Sequence, residues 1–160
     1  MSPGEFATAA RSAIEEHGST FLVIDSLNAY LQAMPGEQYL TLQMHELLSY
    51  LNQLGITTML ILGQHGILGE VRSDVDLSYL SDVLVSYRFF EAGGEIRSAL
   101  AVVKSRASAH ERSIREFKLG PDGLQVGEAL RDFEGLFSGL PTYSGKVALL
   151  KDHAVPGHAP

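Results

Sequence analysis

Two short apolar runs constrain this chain most. Thr20 to Asp25, Thr-Phe-Leu-Val-Ile-Asp, and Ile56 to Leu62 are rich in β-branched residues and too short for helices. Apolar runs without polar alternation are the pattern of strands buried on both faces. Between them Leu40, Met44, Leu47, Leu48, Leu51 and Leu54 recur on one helical face, and Gly55 closes the segment. Strand, crossover helix and strand make a βαβ unit, which is parallel and right-handed in nearly every known case. The expected fold class is therefore α/β.

The flanking segments extend this frame. Ser2-Pro3-Gly4-Glu5 reads as a capping box with Pro at the first helical position, and Phe6, Ala10, Ala13 and Ile14 predict a helix ending at Gly18. A loop is expected around Met34-Pro35-Gly36. Val83 to Phe90 and Ile96 to Lys104, joined through Gly93-Gly94, predict an antiparallel hairpin. Ser113 to Lys118 and Gly123 to Val126 predict a second one around Pro121-Asp122-Gly123. The segment 142–160 lacks periodicity and is expected to be a mobile tail.

Composition narrows the function classes. With 160 residues, 45% of them apolar, the chain has material for one core and not for two full domains. Its net charge of −7 repels polyanions at long range, so nucleic acid is a disfavoured partner. The absence of Cys removes disulfides, thiolate zinc sites and thiol nucleophiles, in keeping with a reducing compartment. Met1-Ser2-Pro3-Gly4-Glu5 is unlike a signal peptide, and no apolar run reaches the roughly 20 residues of a membrane span. A cytoplasmic protein without membrane attachment is the expectation.

Two constellations offer chemistry. Asp25 closes a parallel strand at its C-terminal end, where ligands bind in open α/β sheets; it either helps hold Mg²⁺ or caps the following turn. Lys104, Arg106, Ser108 and His110 alternate along an extended segment and would share one face. Two cations, a hydroxyl and an imidazole in a row can grip a phosphate, or they form a solvated strand end. Arg112 and Arg115 add positive charge nearby. A phosphate loop of the form G-x-x-x-x-G-K-[ST] is absent, since the stretch Gly139 to Val147 has one residue too many between its glycines and Val where a hydroxyl belongs. The six His form no metal-ligand spacing, and no G-x-S-x-G elbow supports a hydrolase triad.

Taken together, Phe21-Leu22-Val23-Ile24-Asp25-Ser26-Leu27, Lys104-x-Arg106-x-Ser108-x-His110, Ile114-Arg115-Glu116-Phe117 and Phe133-Glu134-x-x-x-Ser138-Gly139-x-Pro141 resemble the KaiC family of RecA-like P-loop ATPases. The resemblance is strongest to the second of that family's two ATPase domains and runs from Leu22 to Pro141, 120 of the 160 residues. It implies a partial RecA-like P-loop NTPase core over residues 1–141, a parallel βαβ unit followed by antiparallel hairpins. It also implies ATP and Mg²⁺ as cofactors, and a ring, commonly a hexamer, with nucleotide between subunits. On this basis Asp25 falls on the Walker B aspartate near Mg²⁺, and Lys104, Arg106, Ser108 and His110 fall on the motif offered in trans to a neighbour's ATP. Ser78 falls on the phosphoserine of the family's serine/threonine autokinase activity, with Tyr79 replacing the adjacent threonine. Ala107 stands where the trans motif usually has glycine.

The family's phosphate loop and catalytic glutamate pair lie before the Asp25 strand, and 24 residues precede Asp25 here. The resemblance therefore implies a piece of the ATPase domain, whether shortened in nature, begun upstream or cut to its second half. Such a piece would not hydrolyse ATP alone and would work in a homo-oligomer or with a KaiC-like partner subunit. The rival expectation is a non-catalytic oligomerisation or signalling module that uses an exposed sheet edge and apolar surface. A recombinase-like DNA-binding module is disfavoured by the negative charge.

Overall fold

The computed structural model describes residues 2–34, 39–63, 79–137 and 142–143. The chain divides into two compact units, Met1–Gln64 and His65–Pro160.

The first unit opens with helix α1, Pro3–His17, capped as its sequence demands. Ser2 Oγ accepts from the Glu5 amide at 3.2 Å, and the Ser2 amide donates to Glu5 Oε2 at 2.6 Å. Gly18 ends the helix in the left-handed region at φ 59°, which costs glycine little. Strand β1, Phe21–Asp25, leads to α2, Leu27–Gln32; α3, Leu40–Gln53, precedes strand β2, Thr57–Ile61. β1 and β2 pair in parallel from Phe21 opposite Thr57 to Asp25 opposite Ile61, as the βαβ reading requires. Ile14, Ile24, Leu27, Tyr30, Met44, Leu47 and Leu51 are buried. The Phe6 and Tyr30 rings lie 5.0 Å apart, joining α1 to α2, and the Arg11 guanidinium sits 4.1 Å over the Tyr50 ring of α3.

Burial corrects one expectation. Of β1 only Ile24 is buried, whereas Phe21, Val23 and Met59 of β2 are about half exposed. A two-stranded sheet backed by helices on one side leaves its alternate side chains uncovered, whatever their polarity. The short helix α2 precedes the expected loop around Met34-Pro35-Gly36 and is an element the sequence reading does not place.

The second unit is antiparallel. Strands β3, Val83–Ala92, β4, Glu95–Ser105, β5, Arg115–Gly120, and β6, Gly123–Ala129, lie in chain order in one four-stranded sheet. Gly93 and Gly94 make the β3–β4 turn at φ 64° and 78°, the pair of positive values that matches strand twist in a two-residue hairpin. One face of the sheet carries the core of Phe90, Ala99, Leu130, Phe133 and Leu136. A two-residue pairing joins β7, Phe133–Glu134, to β8, Thr142–Tyr143.

Among the described residues no helix is long and apolar enough to cross a membrane. The mixed α/β architecture, a parallel pair followed by antiparallel hairpins, is that of a partial RecA-like core.

Candidate functional site

Asp25 lies where its strand predicts, at the carboxyl end of β1, exposed. The Asp25–Ser26 peptide is cis. Capping of the next helix falls to Ser26, whose Oγ accepts from the Ala29 amide at 3.3 Å, so α2 does not draw on the Asp25 carboxylate. The carboxyl end of β2 is tied to α2 by Asn28, whose Oδ1 accepts from the Gly63 amide at 2.8 Å. Asn28 has no signature in the sequence, because its partner is 35 residues away.

In the second unit Lys104 and Arg106 converge on one short segment. Lys104 Nζ donates to the Ser81 carbonyl at 2.7 Å, and Arg106 Nη2 donates to the Tyr79 carbonyl at 2.7 Å. Arg106 adds a main-chain bond to the Asp82 carbonyl at 2.9 Å and a loose ion pair with the Asp82 carboxylate at 3.4 Å. The Arg106 side chain remains half exposed, at 52%.

Ser108 and His110 depart from the expected row. β4 ends at Ser105 and the chain bends over residues 106–108, so the alternation of an extended strand stops there. Ser108 Oγ turns back to 3.1 Å from Ser105 Oγ. His110 is half-buried, and its Nε2 has no hydrogen-bond partner among the described residues. Arg115 is committed elsewhere: it donates to Glu111 Oε1 at 3.0 and 2.7 Å and to the Gly127 carbonyl at 2.8 Å. The hydrogen bonds from Arg115 hold the Glu111 carboxyl below its ordinary value and, reciprocally, the guanidinium above its own.

β4 is pinned to β5 by a buried ion pair that the sequence reading did not single out. Arg97 Nη1 meets Glu116 Oε1 at 2.9 Å, with Glu116 only 2% exposed. Glu116 faces Ala99 across the ladder, and Ala99 faces Arg88, whose guanidinium is 5.7 Å from the Phe137 ring and whose pKa burial pushes down.

Among the described residues no three His, Asp or Glu side chains gather as a metal cluster. Two open surface depressions, one along Glu95–Ser98 and Phe117–Leu119 and one between α1 and α3, contain none of the expected site residues. Ser78 and the stretch Gly139 to Pro141 lie outside the described residues.

The chemistry available is one exposed carboxylate in the first unit and, in the second, two cations at a strand end. A hydrated Mg²⁺ accompanying a nucleotide commonly takes one or two protein carboxylates, with water and phosphate oxygens completing the octahedron. Asp25 fits that share of a Mg²⁺ shell, and the described residues do not furnish a complete cage.

Comparison with known proteins points the same way. A family model described as "ATPase: KaiC" matches residues 1–131. The "Circadian clock oscillator protein KaiC" of Synechococcus elongatus is 28% identical over 138 residues, covering 82% of this chain and 25% of that protein. The "Circadian clock protein KaiC3" of Synechocystis sp. is 32% identical over 78 residues, 49% of this chain and 15% of that protein. The Acaryochloris marina protein of the same description as the first is 34% identical over 86 residues, 54% of this chain and 16% of its own. The chain thus spans between 15% and 25% of the length of these relatives.

Proposed function

This chain belongs to the KaiC ATPase family, and from that premise we propose that it is an ATPase-domain segment acting at a shared nucleotide site. In this reading Asp25 contributes to the shell of a nucleotide-bound Mg²⁺, while Lys104 and Arg106, with Ser108 and His110 beside them, serve ATP held by another subunit. That subunit is a second copy or a KaiC-like partner, and the segment does not hydrolyse ATP alone.

The observation that carries the reading is the convergence of Lys104 and Arg106 on the Tyr79–Asp82 segment, with Arg106 half exposed. Both cations donate to main-chain carbonyls, and the Asp82 carboxylate pairs with Arg106 only loosely, at 3.4 Å. A phosphate oxygen makes a stronger, charge-assisted bond than a carbonyl, so nucleotide can compete for these donors. Arg offers a planar fork matched to two phosphate oxygens and Lys a compact charge. Phosphoryl transfer is accelerated chiefly by such positioned cations, and a cation supplied from a second subunit couples assembly to nucleotide state. When bound, Mg²⁺ neutralises charge on the nucleotide's phosphates.

The test is calorimetric titration with Mg-ATP of the chain alone and of the chain mixed with a KaiC-like subunit that supplies a phosphate loop. Without loop amides, which normally supply most phosphate contacts, the chain alone is expected to show no saturable binding in the micromolar range. Micromolar affinity of the isolated monomer overturns the proposal.

A further inference from the structure

The β3–β6 sheet has two unlike faces. Because directly opposed residues in an antiparallel ladder share a face, register assigns them. Arg88, Phe90, Ala99 and Glu116 lie on the face that carries the unit's core. The other face presents Tyr87 opposite Leu100, Phe89 opposite Ser98, Ser98 opposite Phe117, Phe117 opposite Val126, and Leu119 opposite Leu124. Tyr87 and Phe117 meet edge to face at 5.3 Å on it.

On that second face Tyr87, Phe89, Ile96, Leu119, Leu124 and Val126 are each at least half exposed, Leu119 reaching 78%. Six large side chains at this exposure present roughly 700 Å² of apolar surface. The largest patch on an ordinary monomer is about 300–600 Å², and each partner of a standard specific interface buries about 800 Å². The face is therefore large enough for a dimer. Its charges are few: Glu91 stands at one end, opposite Ile96, and Arg115 is already paired with Glu111. Two copies meeting here bring apolar carbon together, as at the buried centre of a stable interface.

We infer that this face is a two-fold interface between copies of the chain, the two four-stranded sheets stacking as a sandwich. Twisted sheets pack in this way about 10 Å apart with their strands within about 30° of each other. The contact is isologous, the same patch serving on both sides, and closes at two chains. Tyr87 and Phe89 on β3 and Phe117 on β5 supply its aromatic side chains, the type in which binding energy concentrates. It is separate from the proposed nucleotide contacts, because Lys104 and Arg106 bind the Tyr79–Asp82 segment.

Sedimentation velocity of the full chain over a hundredfold concentration range tests this, with far-UV circular dichroism as the control for folding. Wild type is expected to sediment at twice 17.3 kDa. The double variant Phe89→Lys, Leu119→Lys alters exposed side chains only, so it is expected to keep its spectrum while the dimer dissociation constant rises at least 30-fold. Phe21→Lys, on the exposed side of β1, and Arg106→Ala are expected to leave the dimer intact. A wild-type monomer at every concentration overturns the inference. So does an oligomer that survives the double variant, or one that Phe21→Lys dissolves instead.

Discussion

Arg97 and Glu116, on neighbouring strands and 19 residues apart in sequence, form an ion pair at 2.9 Å whose carboxylate is 2% exposed. A charge removed from water to this degree is tolerated because Arg97, which also pairs with Glu95, compensates it, and loss of Arg97 removes that compensation. Arg97→Ala is expected to destabilise the second unit by about 3 kcal/mol, read from urea denaturation. A loss under about 1 kcal/mol would mean that the pair is hydrated in solution.

The Gly93–Gly94 turn has open space around both α-carbons, so a methyl group there meets no neighbour. Only the backbone resists it, since Gly94 has φ 78°. Gly94→Ala is expected to cost about 1–2 kcal/mol, and Gly94→Asn, which tolerates the left-handed region, distinctly less. Equal losses for the two variants would show that the turn changes type on substitution.

The capping box of α1 gives a pH dependence with a defined sign. A backbone hydrogen bond from Ser2 is the main cause holding the Glu5 carboxyl below its ordinary value of 4.5. A depressed folded-state pKa contributes stability that is present above the unfolded value and is lost as pH falls through the folded one. Helix signal from α1 is therefore expected to weaken as the pH falls below 4.5 and through the depressed folded-state pKa, and Glu5→Gln to remove that part of the titration. Amide protection measured over residues 4–8 checks it; an unchanged acid limb in the variant would assign the titration elsewhere.

Asn28 and Gly63 join the carboxyl ends of the parallel strands through one side-chain bond at 2.8 Å. Asn28→Ala is expected to cost about 1 kcal/mol of stability, because the Gly63 amide loses its acceptor. Asn28→Asp, which keeps an acceptor oxygen, should recover most of it. Thermal unfolding of the three proteins side by side reads the difference.

What the sequence discloses here is what local chemistry decides. Ser2 and Glu5 are three residues apart, Gly93 and Gly94 sit within their own turn, and the parallel pairing of β1 with β2 follows from the long crossover between them; each is present as read. β1 looks like a strand covered on both faces because its composition is apolar, but cover depends on what packs against it, and Phe21 and Val23 are half exposed. The row Lys104 to His110 fails after Ser105 because alternation holds only while the chain stays extended, and residues 106–108 bend. The engagement of Lys104 with Ser81 and of Arg106 with Tyr79 spans 23 and 27 residues, a pairing that strand register creates and no spacing announces. The same holds for Asn28 with Gly63 and Arg97 with Glu116.

The central claim is that Arg106 serves a nucleotide held by another subunit, and ATP affinity in a mixed assembly tests it most directly. Wild-type and Arg106→Ala chains are each mixed with a KaiC-like subunit that supplies a phosphate loop, assembly is verified by sedimentation, and Mg-ATP is titrated in. Hydrogen bonds to a charged group are worth roughly 1.5–3 kcal/mol, so the variant is expected to bind ATP about tenfold or more weakly. Its thermal midpoint should stay near that of wild type, since the Arg106–Asp82 pair is long and both side chains are at least half exposed. Unchanged ATP affinity in a verified mixed assembly would contradict the account.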